Sequence, residues 1–109
     1  MVQPLTAIPL PVDKITSLCP KYGVRELAVF GSVLEPARFS AESDVDFLVA
    51  FEHDDYGPWM SKLLSLEMDL TKLLGRRVEV VSKRGIEQSR NAVRRSAILQ
   101  SAQSLYVAG

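Results

Sequence analysis

Two short apolar runs stand out near the middle of the chain. Residues 24–30, VRELAVF, become continuously apolar toward Phe30, and residues 45–51, VDFLVAF, form a second run. Their length, and the Gly31-Ser32 and Ser43-Asp44 breaks beside them, predict strands buried on both faces. In the second strand, alternation puts Asp44, Asp46, Leu48 and Ala50 on one side and Val45, Phe47, Val49 and Phe51 on the other. A third strand is predicted over 76–82, RRVEVVS, with Val78 and Val80 facing one way and Arg77, Glu79 and Val81 the other.

Helical spacing fills the rest. Val12 to Tyr22 reads as a short helix with Ile15 and Leu18 on one face. Pro20 predicts that it ends near Cys19 or distorts there, and Gly23 is a helix stop. Trp59, Leu63, Leu66, Leu70 and Leu73 recur at spacings of four and three, an amphipathic stripe with Pro58 in its first turn and Gly75 at its end. A last helix is predicted from Ile86 to about Gln103, with Ile86, Val93 and Ala97 or Ile98 inward. Residues 33–43 read as a loop with room for one helical turn, 104–108 as a short strand or a tail, and 1–11, with three prolines, as extended or mobile. The order of elements gives an α/β class, in α+β two-layer form: a small mixed central β-sheet flanked by helices, in a single domain spanning 1–109.

Composition narrows the function classes. The chain is 47% hydrophobic and 24% charged, an ordinary globular balance. Thirteen basic and thirteen acidic residues cancel, which argues against coating nucleic acid by bulk charge. Cys19 is the only cysteine; it reads as a small buried hydrophobe, and a reducing cytoplasm fits. The N-terminus lacks the charge pattern of a signal peptide, and no apolar run approaches the ~18 residues of a membrane span.

The chemistry lies at the strand ends. Asp44 and Asp46 are two apart on one strand, so their carboxylates project together. Close like charges raise the cost of ionising each other, and a hard divalent cation removes that cost. A solvated pair at the end of a loop is the plainer reading of the motif alone. Gly31-Ser32 is either an ordinary turn or one whose N–H groups and hydroxyl hold phosphate oxygens. Glu79 interrupts an apolar strand, so it lies either at a solvated edge or toward the same cation site. His53 sits with Glu52, Asp54 and Asp55 in a loop and reads as solvated. Arg90 and Arg94, one turn apart, could contact phosphates or an acidic partner, with a solvated helix face as the plainer reading.

Taken together, "VFGS…SDVDFLVAF…RRVEVVS" resembles the minimal nucleotidyltransferase domains of the polymerase-beta-like superfamily. The resemblance runs from about Val12 to Tyr106 and includes the closing "SLYVAG". It implies a nucleoside triphosphate bound with two Mg2+ ions, Mn2+ being an alternative. Gly31 and Ser32 would hold its distal phosphates. Asp44, Asp46 and Glu79 would ligate the ions, and Glu79 would also activate an acceptor hydroxyl. Small proteins of this kind usually act as antitoxins that transfer AMP from ATP to a tyrosine of a helical HEPN-class toxin. The resemblance therefore implies a protein adenylyltransferase with a HEPN-type toxin as partner, no direct nucleic-acid or membrane partner, and room for a homo-oligomer. This chain departs from the family pattern in three ways. The Ser32–Asp44 loop is one residue longer than is common. Glu35 stands where an arginine is frequent, which assigns Arg38 to the phosphates. The third acid is Glu rather than Asp. These departures keep open an antitoxin that neutralises its toxin by binding alone.

Overall fold

The computed structural model describes residues 5–109. The first helix, α1, spans Val12–Tyr22. It buries Ile15 and Cys19, one turn apart. This is the span read from the sequence, and the helix runs through Pro20 rather than ending at Cys19. Proline in the last turn forfeits a single backbone donor, and Gly23 closes the helix beyond it in a left-handed conformation (φ 68°), donating to the carbonyls of Cys19 and Pro20. Ahead of α1, residues 5–11 are irregular, yet Ile8 and Leu10 pack against the core and Ala7 N–H bonds Val33 O at 2.7 Å. Of the expected extended or mobile segment over 1–11, residues 5–11 thus carry no helix or strand and are held to the core; residues 1–4 lie outside the described residues.

Strand β1 (Val24–Phe30) and strand β2 (Val45–Phe51) occupy the spans read from the apolar runs. They pair antiparallel. A 3-10 turn over Gly31–Leu34 leaves β1. Helix α2 covers Ser61–Leu74, with Leu63, Leu66 and Leu70 buried and Gly75 as its left-handed stop. Strand β3 is Val78–Ser82, parallel to β2. Two short helices follow, α3 (Lys83–Glu87) and α4 (Ala92–Ser101), then strand β4 (Gln103–Val107), antiparallel to β1. The sheet order is β3-β2-β1-β4, a mixed sheet as expected.

The two sheet faces are unequal. Leu27, Val29, Val45, Phe47, Val49, Phe51, Val78 and Val80 meet α1 and α2 in the main core. On the opposite face Ala28, Phe30 and Leu48 are covered by Ile86 of α3 and Ile98 of α4. Cys19 lies in the main core with no exposed surface; burial pushes its thiol up to about 12, so it stays protonated and inert, as read. Glu67 of α2 reaches the outer rim of β3, where its carboxylate accepts the Val80 N–H at 2.9 Å.

Two expectations about helices are corrected. Trp59 does not head the α2 stripe; it is 94% exposed. It sits in a separate turn, Pro58–Met60, where Trp59 and Met60 both have positive φ, so the helical phase starts only at Ser61. The single last helix is broken at residues 88–91 because the Asn91 side chain accepts the Arg94 N–H at 3.0 Å and caps a new helix. That break resets the phase: Ile86 and Ile98 face inward as read, whereas Val93 is 82% exposed and Ala97 is exposed. Among the described residues, no helix is long and apolar enough to cross a membrane.

Candidate active site

Gly31 carries the tightest constraint on the sheet's second face. It has φ 79°, which glycine adopts without strain. A Cβ built there would lie 2.5 Å from Oδ2 of Asp46. That carboxylate therefore occupies the space a side chain would fill. The register explains the approach, since Phe30, the residue before the glycine, is the cross-strand partner of Asp46.

The parallel register of β2 and β3 sets Glu79 directly beside Asp46. Register partners in adjacent strands project to the same face, so Glu79 lies on the aspartates' side of the sheet. It is also exposed on the edge strand, so both sequence readings of this acid meet at one position. Asp46 is only partly exposed, and its carboxyl is pushed up to about 6, first by burial and then by the charges of Glu79 and Asp44, with Arg94 opposing. Asp44 stands just before β2. Its Oδ1 lies 3.0 Å from Arg77 Nε, close enough for an ion pair. The alignment is not that of a hydrogen bond, so this buried oxygen has no donor.

Among the described residues, no three acidic, histidine or cysteine side chains stand close enough to enclose a metal ion. The three carboxylates thus share a face and influence one another's charge without forming a closed ligand cage. The donor set still suits a hard divalent cation: it is all oxygen, and the crowding of Asp46 by Glu79 and Asp44 would be relieved by positive charge, with Asp44 shared between the ion and Arg77. Asp44 and Asp46 could hold such an ion, with Glu79 alongside.

The loop carrying Asp44 is organised from β3's leading arginines. Arg76 stacks on the Phe39 ring at 4.5 Å and donates to the carbonyls of Ser40, Ala41 and Ser43 at 3.0, 3.2 and 2.8 Å. Arg77 donates to Glu42 O at 2.6 Å, and Val45 N–H returns to Arg77 O at 3.1 Å. Both were read only as residues leading into a strand. Nothing local in the sequence marks a side chain whose partners lie more than thirty positions away.

Gly31 also borders a cleft of about 920 Å³, walled by Phe30, Leu34 and Ile98 and edged by Glu35, Arg38 and Arg94. Gly31 thus adjoins both this space and the Asp46 carboxylate. Ser32 follows it in the turn, half-buried. Arg38, expected to serve phosphates, is exposed and bonds Glu35 at 2.7 Å, so the two neutralise each other at the rim. Arg94 was noted in the sequence for its spacing from Arg90; the structure brings it, across 48 residues of chain, within electrostatic range of Asp46.

A mixed sheet that sets paired carboxylates beside a glycine turn and an open cleft has the parts of a nucleotidyl-transferring domain. The family model for polymerase beta nucleotidyltransferases matches residues 13–107, and the chain belongs to that family. A curated protein adenylyltransferase, MntA of Thermococcus cleftensis, is 42% identical over 62% of this chain and 64% of its own length. The chain spans about 64% of the length of the curated relatives it matches. A solved structure described as a minimal nucleotidyltransferase is 34% identical, covering 84% of this chain and 86% of that one, with a TM-score of 0.64. A crystal structure of a toxin–antitoxin with AMP-PNP matches at 20% identity, 91% of this chain and 75% of that one, with a TM-score of 0.66, a likeness of fold.

Proposed function

We propose that this chain transfers AMP from ATP to a hydroxyl of a partner protein, and that the partner is a toxin of the HEPN class. The observation that carries the reading is the Asp46–Glu79 register pairing beside a glycine whose missing side chain leaves room for the Asp46 carboxylate. The family membership supports the reaction class. The adenylyltransferase relative and the fold likeness to a toxin–antitoxin complex support the acceptor and partner.

In this mechanism Gly31 lets the phosphates approach the backbone, and Ser32 offers its hydroxyl and N–H to the distal oxygens. Asp44 and Asp46 would hold Mg2+, which when bound neutralises phosphate charge and orients the triphosphate. Glu79 accepts the proton of the incoming hydroxyl. Positioning and charge stabilisation supply most of the rate in such transfers. A single inert thiol fits work in a reducing cytoplasm.

A second reading, neutralisation of the toxin by binding alone, is favoured by the Glu35–Arg38 pair, which leaves an acid at the rim and ties down the loop's arginine. One experiment separates the two. The chain is incubated with α-labelled ATP, Mg2+ and a HEPN-class toxin from the same source. Label reaching the toxin with wild type and lost, by roughly a thousandfold, with Asp46→Ala supports transfer. Absent label, with toxin inhibition intact in Asp46→Ala, supports binding alone.

A further inference from the structure

We propose that Arg94 is the residue that binds the β- and γ-phosphates of the nucleotide and receives the departing pyrophosphate. The proposal rests on the transfer reading above and separates Arg94 from Arg90, which the sequence pattern offered together as phosphate contacts.

The direction of the reaction across the sheet supplies the first argument. In an in-line displacement the acceptor oxygen and the leaving group lie on opposite sides of the α-phosphorus. The acceptor oxygen forms a bond to that phosphorus, its proton goes to Glu79, and the bond from the phosphorus to the bridging oxygen breaks. Pyrophosphate leaves with the bonding electron pair. Glu79 is on β3, Asp46 on its neighbour β2, and Gly31 at the end of β1, so these groups follow the sheet order β3-β2-β1. With the acceptor at Glu79, the leaving group departs toward Gly31 and the cleft beyond it.

The second argument is charge. Around this path stand the carboxylates of Asp46 and Glu79, which repel a triphosphate, while Asp44 and Glu35 are already paired with Arg77 and Arg38. Two arginines line the cleft, Arg38 and Arg94. Arg38 is engaged with Glu35 at 2.7 Å. Arg94 forms no ion pair among the described residues, and it is exposed at the cleft. Its backbone position is fixed by the Asn91 cap at 3.0 Å, and its neighbour Arg95 is turned away to Ser89 O at 2.6 Å. Arg94 thus lines the cleft on a capped backbone with its guanidinium in no ion pair among the described residues, and a planar fork suits phosphate oxygens. Gly31 lines the cleft together with Arg94 and closely approaches the Asp46 carboxylate, so the two groups flank one glycine turn.

The test is calorimetric titration of wild type, Arg94→Ala and Arg94→Lys with Mg2+ and, separately, ATP, AMP and inorganic pyrophosphate. Arg94→Ala is expected to weaken ATP and pyrophosphate roughly 10- to 100-fold and AMP less than about twofold, with Arg94→Lys recovering part of the loss. Arg94→Ala binding ATP like wild type overturns the assignment, as does an equal loss for AMP and ATP, which would make Arg94 a wall of the nucleoside site. A wild-type chain that binds neither ATP nor pyrophosphate overturns it too. A wild-type chain that binds ATP in the Arg94-dependent way yet passes no label to the toxin defeats the transfer reading and leaves Arg94 in place.

Discussion

The two faces of the sheet are made from alternate residues of the same strands and behave oppositely. On one, Phe47 and Val49 are sealed against α1 and α2 with no polar side chain among them. On the other, Asp46 shares its strand with the buried Leu48 and Ala50, Leu48 lying under Ile86 and Ile98, and Asp46 alone stays partly exposed. A period of two thus lets seven residues of β2 supply a core on one side and a reactive surface on the other. The carboxylate crowding of the second face is tolerable because the first face supplies the stability. Substitutions on the two faces should therefore separate cleanly.

The largest effect on stability is expected from the sealed face. Phe47→Ala removes a fully buried ring and should cost about 3–5 kcal/mol in urea unfolding; a loss under about 1 kcal/mol would mean that this face is not the main core. Next comes Gly31→Ala, which forces a methyl to 2.5 Å from the Asp46 carboxylate at φ 79°. A cost of about 1–3 kcal/mol, with loss of nucleotide binding, is expected; a variant that binds ATP normally would show that the close approach is dispensable.

Asp46→Asn should move stability the other way. The Asp46 pKa is raised from 3.8 to about 6 in the folded chain, so folding favours its protonated form. That contribution is complete below the unfolded value and is lost as pH rises from about 4 toward 6. Without metal the substitution should stabilise the protein at pH 7 by about 1 kcal/mol, discounted for the half-exposed carboxylate, and by almost nothing at pH 4. An equal gain at both pH values would show that the crowding is not electrostatic. The smallest effect is expected at Trp59→Ser, because that ring touches no core: thermal unfolding should shift by no more than about 0.5 kcal/mol in stability.

Legibility in the sequence followed the same division. β1 and β2 were readable to the residue, because continuous apolar runs with a glycine or an acid at their ends leave little choice of boundary. The stripe of Leu63, Leu66 and Leu70 was readable, while its start was not: a proline at 58 and two left-handed residues after it consume a turn that periodicity counts as helix. The Asn91 cap that divides the last helix is a one-residue signal inside an otherwise helical composition. At the candidate site, residue types and spacing marked Asp44, Asp46, Glu79 and Gly31-Ser32. The reach of Arg76 to three carbonyls and the placement of Arg94 beside the glycine turn come from tertiary structure, and no local pattern encodes either.

The bond from Glu67 to the Val80 amide has a consequence beyond the domain itself. A sheet border with free amides invites a foreign strand to zip on. Here the central donor of that border is already plugged by a side chain from the chain's own helix, so a guest strand arriving there meets a filled socket and a negative charge. Strand addition is therefore disfavoured at this point of the β3 border, while the opposite border is formed by β4.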